Sequence, residues 1–282
     1  MANLAGAFAV LLWALLAILT DLTQPVPPFQ LTAMTFAIGA LTCLVWLVLS
    51  GQVTALKTPP IGAALWGACG LFLYHALYFA ALRSAPVAEA SLIAYLWPLL
   101  IVVLAVPILG ERLRAQHIIG VLLGLLGVAI LLLWGRTGPV HLTIGHLFAV
   151  GCAFIWSSYS VLSRRAAKVP SAIVTYFCLL TAFAAAICHF AVETTAWPAT
   201  KIGWLSIIGL GLGPVGAAFF LWDIATKRGN IQMVAAFSYA APVLSTLILL
   251  IFQRIPFQTS IVMSAVLVCL GALIAAVPRP KR

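Results

Sequence analysis

Acidic side chains are almost missing from this sequence. Asp and Glu number five in 282 residues, and all charged residues together make up 7%. A soluble domain needs a charged, hydrated surface, so 64% hydrophobic residues and a mean hydropathy of +1.18 exclude one and place the chain in lipid. HExxH, GxSxG and clustered carboxylates are also missing. Without a nucleophile or a metal set, an intramembrane enzyme is the weaker reading. The six cysteines (residues 43, 69, 152, 178, 188 and 269) lie inside apolar stretches with no CxxC spacing, so no metal, cofactor or loop disulfide is expected. The net charge of +10 does not point to nucleic acid, because the basic residues are scattered among short loops and a tail rather than along one face. The first apolar stretch begins close to Met1 with no basic head and no small-residue cleavage site, and reads as a retained span.

What is abundant is long apolar sequence. Ten spans approach the ~20 residues that cross a bilayer as helix, at about 3–20, 29–50, 61–83, 86–109, 115–134, 143–163, 171–191, 203–226, 230–252 and 258–277. The fold expected is an all-α membrane protein. With the N-terminus in the cytoplasm, eleven basic residues fall inside: Lys57, Arg112, Arg114, Arg164, Arg165, Lys168, Lys227, Arg228, Arg279, Lys281 and Arg282. Four fall outside: Arg83, Arg136, Lys201 and Arg254. That bias places both termini in the cytoplasm.

An offset of 144 pairs Gly67 with Gly211, Arg83 with Lys227, Tyr95 with Tyr239, Pro98 with Pro242, Gly127 with Gly271 and Tyr78 with Trp222. Five spans per half is an odd number, so the halves 1–138 and 139–282 are read as inverted five-helix repeats. Transporters recurrently use that design, with the site near the midplane.

The third span carries Tyr74-His75-Ala76-Leu77-Tyr78 in the middle of apolar sequence. Residues three and four apart share a helix face, so two phenols and an imidazole share one wall. Polar tips at that depth face a cavity or a partner helix. Pro98 and Pro242 fall near the middle of the fourth and ninth spans, and each removes a backbone hydrogen bond. They are the expected hinges, and they free the carbonyls of Ala94 and Ser238; a plain kink satisfied by a neighbouring helix is the alternative. Ser91, Tyr95 and Pro98 share a face, while Trp97 points about 160° from Tyr95 on an ideal helix. Trp156 lies mid-span, away from the interfacial belt where Trp is common, and Trp13 is its counterpart in the first half. The glycine run from Gly209 to Gly216 lacks the following Lys-Ser or Lys-Thr of a phosphate loop.

No carboxylate is expected at mid-membrane depth. Asp21, Glu89, Glu111 and Glu193 fall at span ends or in loops, and Asp223 is expected to pair with Lys227 on a helix surface. Transport without obligatory proton coupling follows from that absence. His117, His141, His146 and His189 are expected in solvent, leaving His75 as the one deep histidine. A structural subunit would not need polar side chains at matching depth in several spans, and a channel would show a ring of like residues.

Pro98, the run Gly110-Glu111-Arg112-Leu113, Gln116, Gly120 and Gly127 resemble the proline, Gly-Glu, Gln and glycine series of the drug/metabolite transporter superfamily, in its EamA-type members. The second half keeps Pro242 and Gly271 but has Arg254 and Ile255 where Gly-Glu would stand, which points to structural use of Glu111 at a helix junction. Tyr74, His75 and Tyr78, with Tyr95 and Trp97, are similar to the cavity residues of that superfamily's aromatic amino acid exporters. The resemblance implies alternating-access export of Phe, Tyr, Trp and other neutral amino acids from a bacterial cytoplasm across the inner membrane. Partners would be the substrate and the bilayer, with a monomer expected and a dimer as alternative. Aromatic walls suit both a stacked ring and a cation, so small aromatic or cationic metabolites remain the second substrate class. The substrate-binding set is Tyr74, His75, Tyr78, Tyr95, Trp97, Trp156 and Tyr239.

Overall fold

A computed structural model describes residues 1–56, 60–85, 87–135, 141–252 and 257–276. The expected repeat boundary at 138 and 139 lies outside the described residues, as do Lys57, Arg136, Arg254, Ile255 and the basic tail Arg279, Lys281 and Arg282. The side chains of Arg83 and Glu89 lie outside them too.

The described residues form helices and no strand. In chain order they are α1 (Ala2–Ala14), α2 (Leu16–Asp21), α3 (Pro28–Leu49), α4 (Ile61–Ser84), α5 (Val87–Ala94), α6 (Trp97–Leu109) and α7 (Ala115–Leu133). Then come α8 (Ile144–Arg165), α9 (Val174–Val192), α10 (Lys201–Leu210), α11 (Ala218–Arg228), α12 (Ile231–Ser238), α13 (Ala240–Ile251) and α14 (Thr259–Ala276). Eight helical stretches among the described residues are long and apolar enough to cross a membrane. Two shorter apolar helices, Trp97–Leu109 and Thr259–Ala275, accompany them.

The side chains are sorted as lipid requires. Leu4, Phe8 and Leu11 on α1, Leu41, Leu44, Val45 and Val48 on α3, and Leu147, Val150 and Phe154 on α8 are exposed at helical spacing. In water such stripes would be a large apolar patch; against acyl chains they need no other cover. The interior instead holds small residues and aromatic rings. Between α7 and α14 the backbones nearly touch: a Cβ on Gly120 would stand 2.7 Å from the Gly271 carbonyl oxygen, and one on Gly271 would stand 2.5 Å from that of Gly120. Helices in lipid associate through such close packing, since burial of apolar surface gives them no advantage there.

The fourth span expected as one helix over 86–109 is instead divided at Tyr95 and Leu96, between α5 and α6. The physical cause is Pro98, which offers no N–H to the preceding turn. α12 and α13 meet at Tyr239 in the same relation to Pro242. Two further interruptions have no counterpart among the expected hinges: the α1–α2 join at Leu15, and Gly211–Ala217, with Pro214 inside it, a π-helical turn joining α10 to α11. The released carbonyls of that turn find donors. Trp13 Nε1 donates to Pro214 O at 3.0 Å, and Cys43 Sγ donates to Gly216 O at 3.7 Å.

One end of the bundle is tied by basic side chains. Arg164, at the end of α8, donates to the carbonyls of Thr226 (3.4 Å), Lys227 (3.3 Å) and Gly229, and lies 3.8 Å from Glu111. Gly110 ends α6 with φ 67°, a left-handed conformation that favours glycine. Lys227 Nζ reaches Asp223 at 2.7 Å and donates to Val169 O at 2.9 Å. This pair forms as expected but is not on a surface: Asp223 is 0% and Lys227 7% exposed. The turn of helix after Pro170 and the end of α8 cover it.

At the opposite end the Glu193 carboxylate accepts from Phe29 N (2.9 Å) and Gln30 N (3.0 Å), capping α3. His189 bridges Glu193 Oε2 (3.0 Å) and Thr195 Oγ1 (2.9 Å). His189 is buried, as are His117 and His146; of the four histidines expected in solvent, only His141 is exposed. His146 closes a capping box with Thr143, whose hydroxyl donates to Ser84 O at 2.6 Å. His146 and His189 satisfy helix ends, a use that position near a span limit does not reveal.

The Gly120–Gly271 crossing gives a direct test. Gly271→Ala pushes a methyl into a backbone oxygen that cannot rotate away, so it is expected to cost about 1–3 kcal/mol. The purified variant should unfold at a lower temperature than wild type in the same detergent. Gly62→Ala, where nothing lies within 4 Å of the added carbon, should unfold with wild type.

Candidate functional site

α4 delivers Tyr74, His75 and Tyr78 to the bundle interior, where an aromatic network has formed. Tyr74 stacks on Tyr78, with centroids 6.1 Å apart and planes 8° from parallel, and packs against Trp156 of α8 at 5.0 Å. His75 meets Phe36 of α3 edge-on at 5.1 Å and Phe219 of α11 at 6.2 Å. Beside them four indoles close on one another. Trp13 lies 5.7 Å from Trp156 and 5.1 Å from Trp222; Trp97 lies 6.1 Å from Trp156 and 5.5 Å from Trp222. Trp156 and Trp222 stack at 6.1 Å. Edge-to-face and offset geometries at such separations are mutually attractive.

The interruptions explain why these rings meet. Trp97 is the first residue of α6, so the break at Tyr95 and Leu96 frees it from the ideal-helix direction that would carry it away from the face of Tyr95. The π-helical turn, pinned through its Pro214 carbonyl by Trp13, re-aims α11 and brings Phe219 and Trp222 into the network.

Tyr74, His75, Tyr78 and Tyr95 are enclosed by protein. Each is half-buried by its accessible surface, so part of each ring and polar tip is left open to contact. His75 Nδ1 lies 2.7 Å from Leu71 O. A carbonyl only accepts, so the Nδ1 hydrogen is committed there and the neutral ring keeps Nε2 as an acceptor. The Tyr78 hydroxyl lies 3.3 Å from Ser91 Oγ, tying α4 to α5. The wall therefore combines π faces, hydroxyls and one imidazole; the buried Asp223 carboxylate, one residue beyond Trp222 and near Tyr159, whose ring packs on Trp156 at 5.2 Å, is held by Lys227 at 2.7 Å.

Five of the seven residues that the sequence singles out meet in this network: Tyr74, His75, Tyr78, Trp97 and Trp156. Tyr95 stands at the α5–α6 junction, packed against the buried core that contains Trp97 and Trp156. Tyr239 is fully buried elsewhere, its ring wedged against Gly124 of α7. Pro98 and Pro242 are buried just past their helix interruptions. Sequence reasoning misses Phe36 and Phe219. Both are aromatic residues within apolar spans, and nothing in their spacing distinguishes them from Phe183 or Phe190, which face outward.

The EamA-like transporter family model matches residues 1–133 and again residues 143–277. An aromatic amino acid exporter YddG from Ancylobacter novellus is 45% identical over 279 residues, 97% of this chain and 96% of that protein. The proteins of that name from Salmonella typhimurium and Escherichia coli are 26% and 24% identical, over 100% and 97% of this chain and 98% and 96% of their own. A solved crystal structure at 45% identity superposes with a TM-score of 0.92, covering 98% of this chain and 96% of its own. The matches take in both halves of the chain and every span that contributes a ring to the cluster: this protein is a multi-pass membrane transporter and belongs to the EamA-like transporter family.

Proposed function

We propose that the protein exports aromatic and other neutral amino acids from a bacterial cytoplasm across the inner membrane by alternating access. The observation that carries this reading is the half-accessible wall of Tyr74, His75 and Tyr78 set on the indoles of Trp97 and Trp156. An aromatic side chain stacks on such a wall, and the substrate ammonium is attracted to a ring face. Hydroxyls and His75 Nε2 orient the rest of the zwitterion. A net-neutral substrate suits a site with no fixed counter-charge, since an unpaired buried charge on either side would be costly. The relatives named as aromatic amino acid exporters support the substrate class.

The chain is read as ten crossings in two inverted halves, 1–138 and 139–282, with both termini cytoplasmic. The two family matches, one per half, and the like placement of Pro98 and Pro242 support this. Substrate enters from the cytoplasm and binds against the rings; the segments beyond Pro98 and Pro242 then rearrange to open the site to the other side. Tyr95 and Tyr239 stand at those junctions, where a change in helix direction would move them most. The ring wall itself carries no carboxylate and the buried Asp223 beside it is held by Lys227, so on this reading the substrate gradient alone drives flux. Export of small aromatic cations is the second reading, favoured by the same π faces.

Purified protein in liposomes tests this directly. Labelled phenylalanine and threonine should show saturable flux without an ion gradient, and a nucleotide sugar should not; flux of an aromatic cation without amino acid flux would install the second reading. An imposed pH gradient at fixed membrane potential should leave the rate unchanged, and a steep rise would overturn passive coupling. His75→Ala and Trp97→Ala should each lower phenylalanine flux roughly three- to tenfold, the scale of one lost aromatic contact, with normal amounts of protein in the membrane. Pro98→Ala should slow transport more than it weakens substrate binding; equal loss of both would count against a hinge.

A further inference from the structure

Away from the rings, a cavity of about 330 Å3 opens at the basic end, where α3 finishes and α9 begins. Its lining is largely apolar, with Ala55, Pro60, Val169, Pro170 and Ile173. Tyr176 makes one wall and is fixed there by its hydroxyl, which donates to Leu56 O at 2.8 Å. The rim carries the Thr54 hydroxyl and the Lys168 ammonium. Lys168 is exposed and has no acidic partner among the described residues, whereas Arg164 of α8 lies near Glu111 and Lys227 of α11 pairs with Asp223. The two helices that end and begin at the cavity carry exposed apolar side chains within the adjoining turns: Leu44, Val45 and Val48 on α3, Leu179 and Phe183 on α9.

A cation beside an apolar lining, at the ends of two helices with exposed apolar faces, matches one kind of molecule. We infer that this cavity holds the headgroup of an anionic phospholipid, its phosphate on Lys168 and Thr54, its glycerol on the apolar lining and its acyl chains along α3 and α9. A soluble anion would use the ammonium and leave the apolar lining wetted; a zwitterionic lipid would bring its own cation up against Lys168. Basic pockets between membrane helices at the cytoplasmic side are suited to such headgroups, each lysine adding about 1 kcal/mol. The cavity is bounded by two loops that also meet through the Tyr176–Leu56 bond, so a bound lipid would brace the junction of α3 and α9. This inference rests on the membrane-spanning arrangement, and not on which molecule is transported.

Native mass spectrometry of the full chain purified in detergent reads the site without any transport assay. Phosphatidylglycerol should remain bound in preference to phosphatidylcholine. Lys168→Gln, at an exposed position, should weaken phosphatidylglycerol binding about fivefold. Ala55→Trp, which crowds the apolar lining and keeps the lysine, should weaken it by at least as much. Arg165→Gln, an exposed cation that does not line the cavity, should bind within twofold of wild type. Equal retention of the two lipids, an unaltered Lys168→Gln, or an equal loss in Arg165→Gln would each overturn the inference. So would displacement of the lipid by millimolar glycerol phosphate, which would make the site one for soluble anions. Phosphatidylglycerol binding with no amino acid flux would leave this site standing and remove the exporter reading; flux without selective lipid retention would do the reverse.

Discussion

Inside a bilayer a backbone carbonyl that loses its helical partner has no water to turn to, and it must find a donor within the protein. The layout of this molecule follows from that requirement. Three of the helix breaks lie at Pro98, Pro214 and Pro242, and the π-helical turn around Pro214 has side-chain donors nearby. Trp13 supplies its N–H to Pro214 and Cys43 its thiol to Gly216. At the basic end Arg164 serves three carbonyls and Lys227 a fourth. A donor reaching across to another helix fixes that helix as well, so each repaired break also joins two elements. Trp13 shows the result: its N–H mends the π-helical turn while its ring enters the aromatic network, and one residue serves backbone and site together.

The basic and acidic side chains are concentrated at the two ends of the bundle and the rings occupy the middle. Glu193 with His189 closes one end over the start of α3; Arg164, Glu111, Asp223 and Lys227 close the other. A buried pair such as Asp223–Lys227 contributes little net stability compared with apolar packing, but losing one partner strands a charge. The ends are thereby held in specific partnerships, while the interior offers a ligand only weak, broad, non-ionic attractions. That division suits a carrier, which must release what it binds.

Much of this architecture is legible in the amino-acid sequence. The apolar spans and the meeting of Tyr74, His75 and Tyr78 on one helix face follow from composition and a 3.6-residue period. So does the mid-span position of Trp156. Distance across the bundle is not written there. The match of Tyr239 to Tyr95 groups it with the site, yet its ring fills the space left by Gly124. Phe36 and Phe219 enter the network through helix crossings that periodicity does not encode. The glycine run through Gly216 is legible as a place of close packing, but the π-helical register depends on Trp13, some two hundred residues away in sequence. The buried histidines escape a linear reading for a related reason: position at a span end says nothing about which neighbouring terminus needs a cap.

Four indoles, Trp13, Trp97, Trp156 and Trp222, lie within 5.1–6.1 Å of a neighbouring indole in a closed circuit. Transition dipoles that close do not absorb and emit independently. Of the other five tryptophans of the chain, Trp197 and Trp204 stack at 5.6 Å and couple as a separate pair. The circuit adds its own excitonic contribution to near-ultraviolet circular dichroism, and any movement of α1, α6, α8 or α11 relative to the others alters it. The protein thus contains an intrinsic, label-free chromophore at the place where its conformational cycle would be felt first.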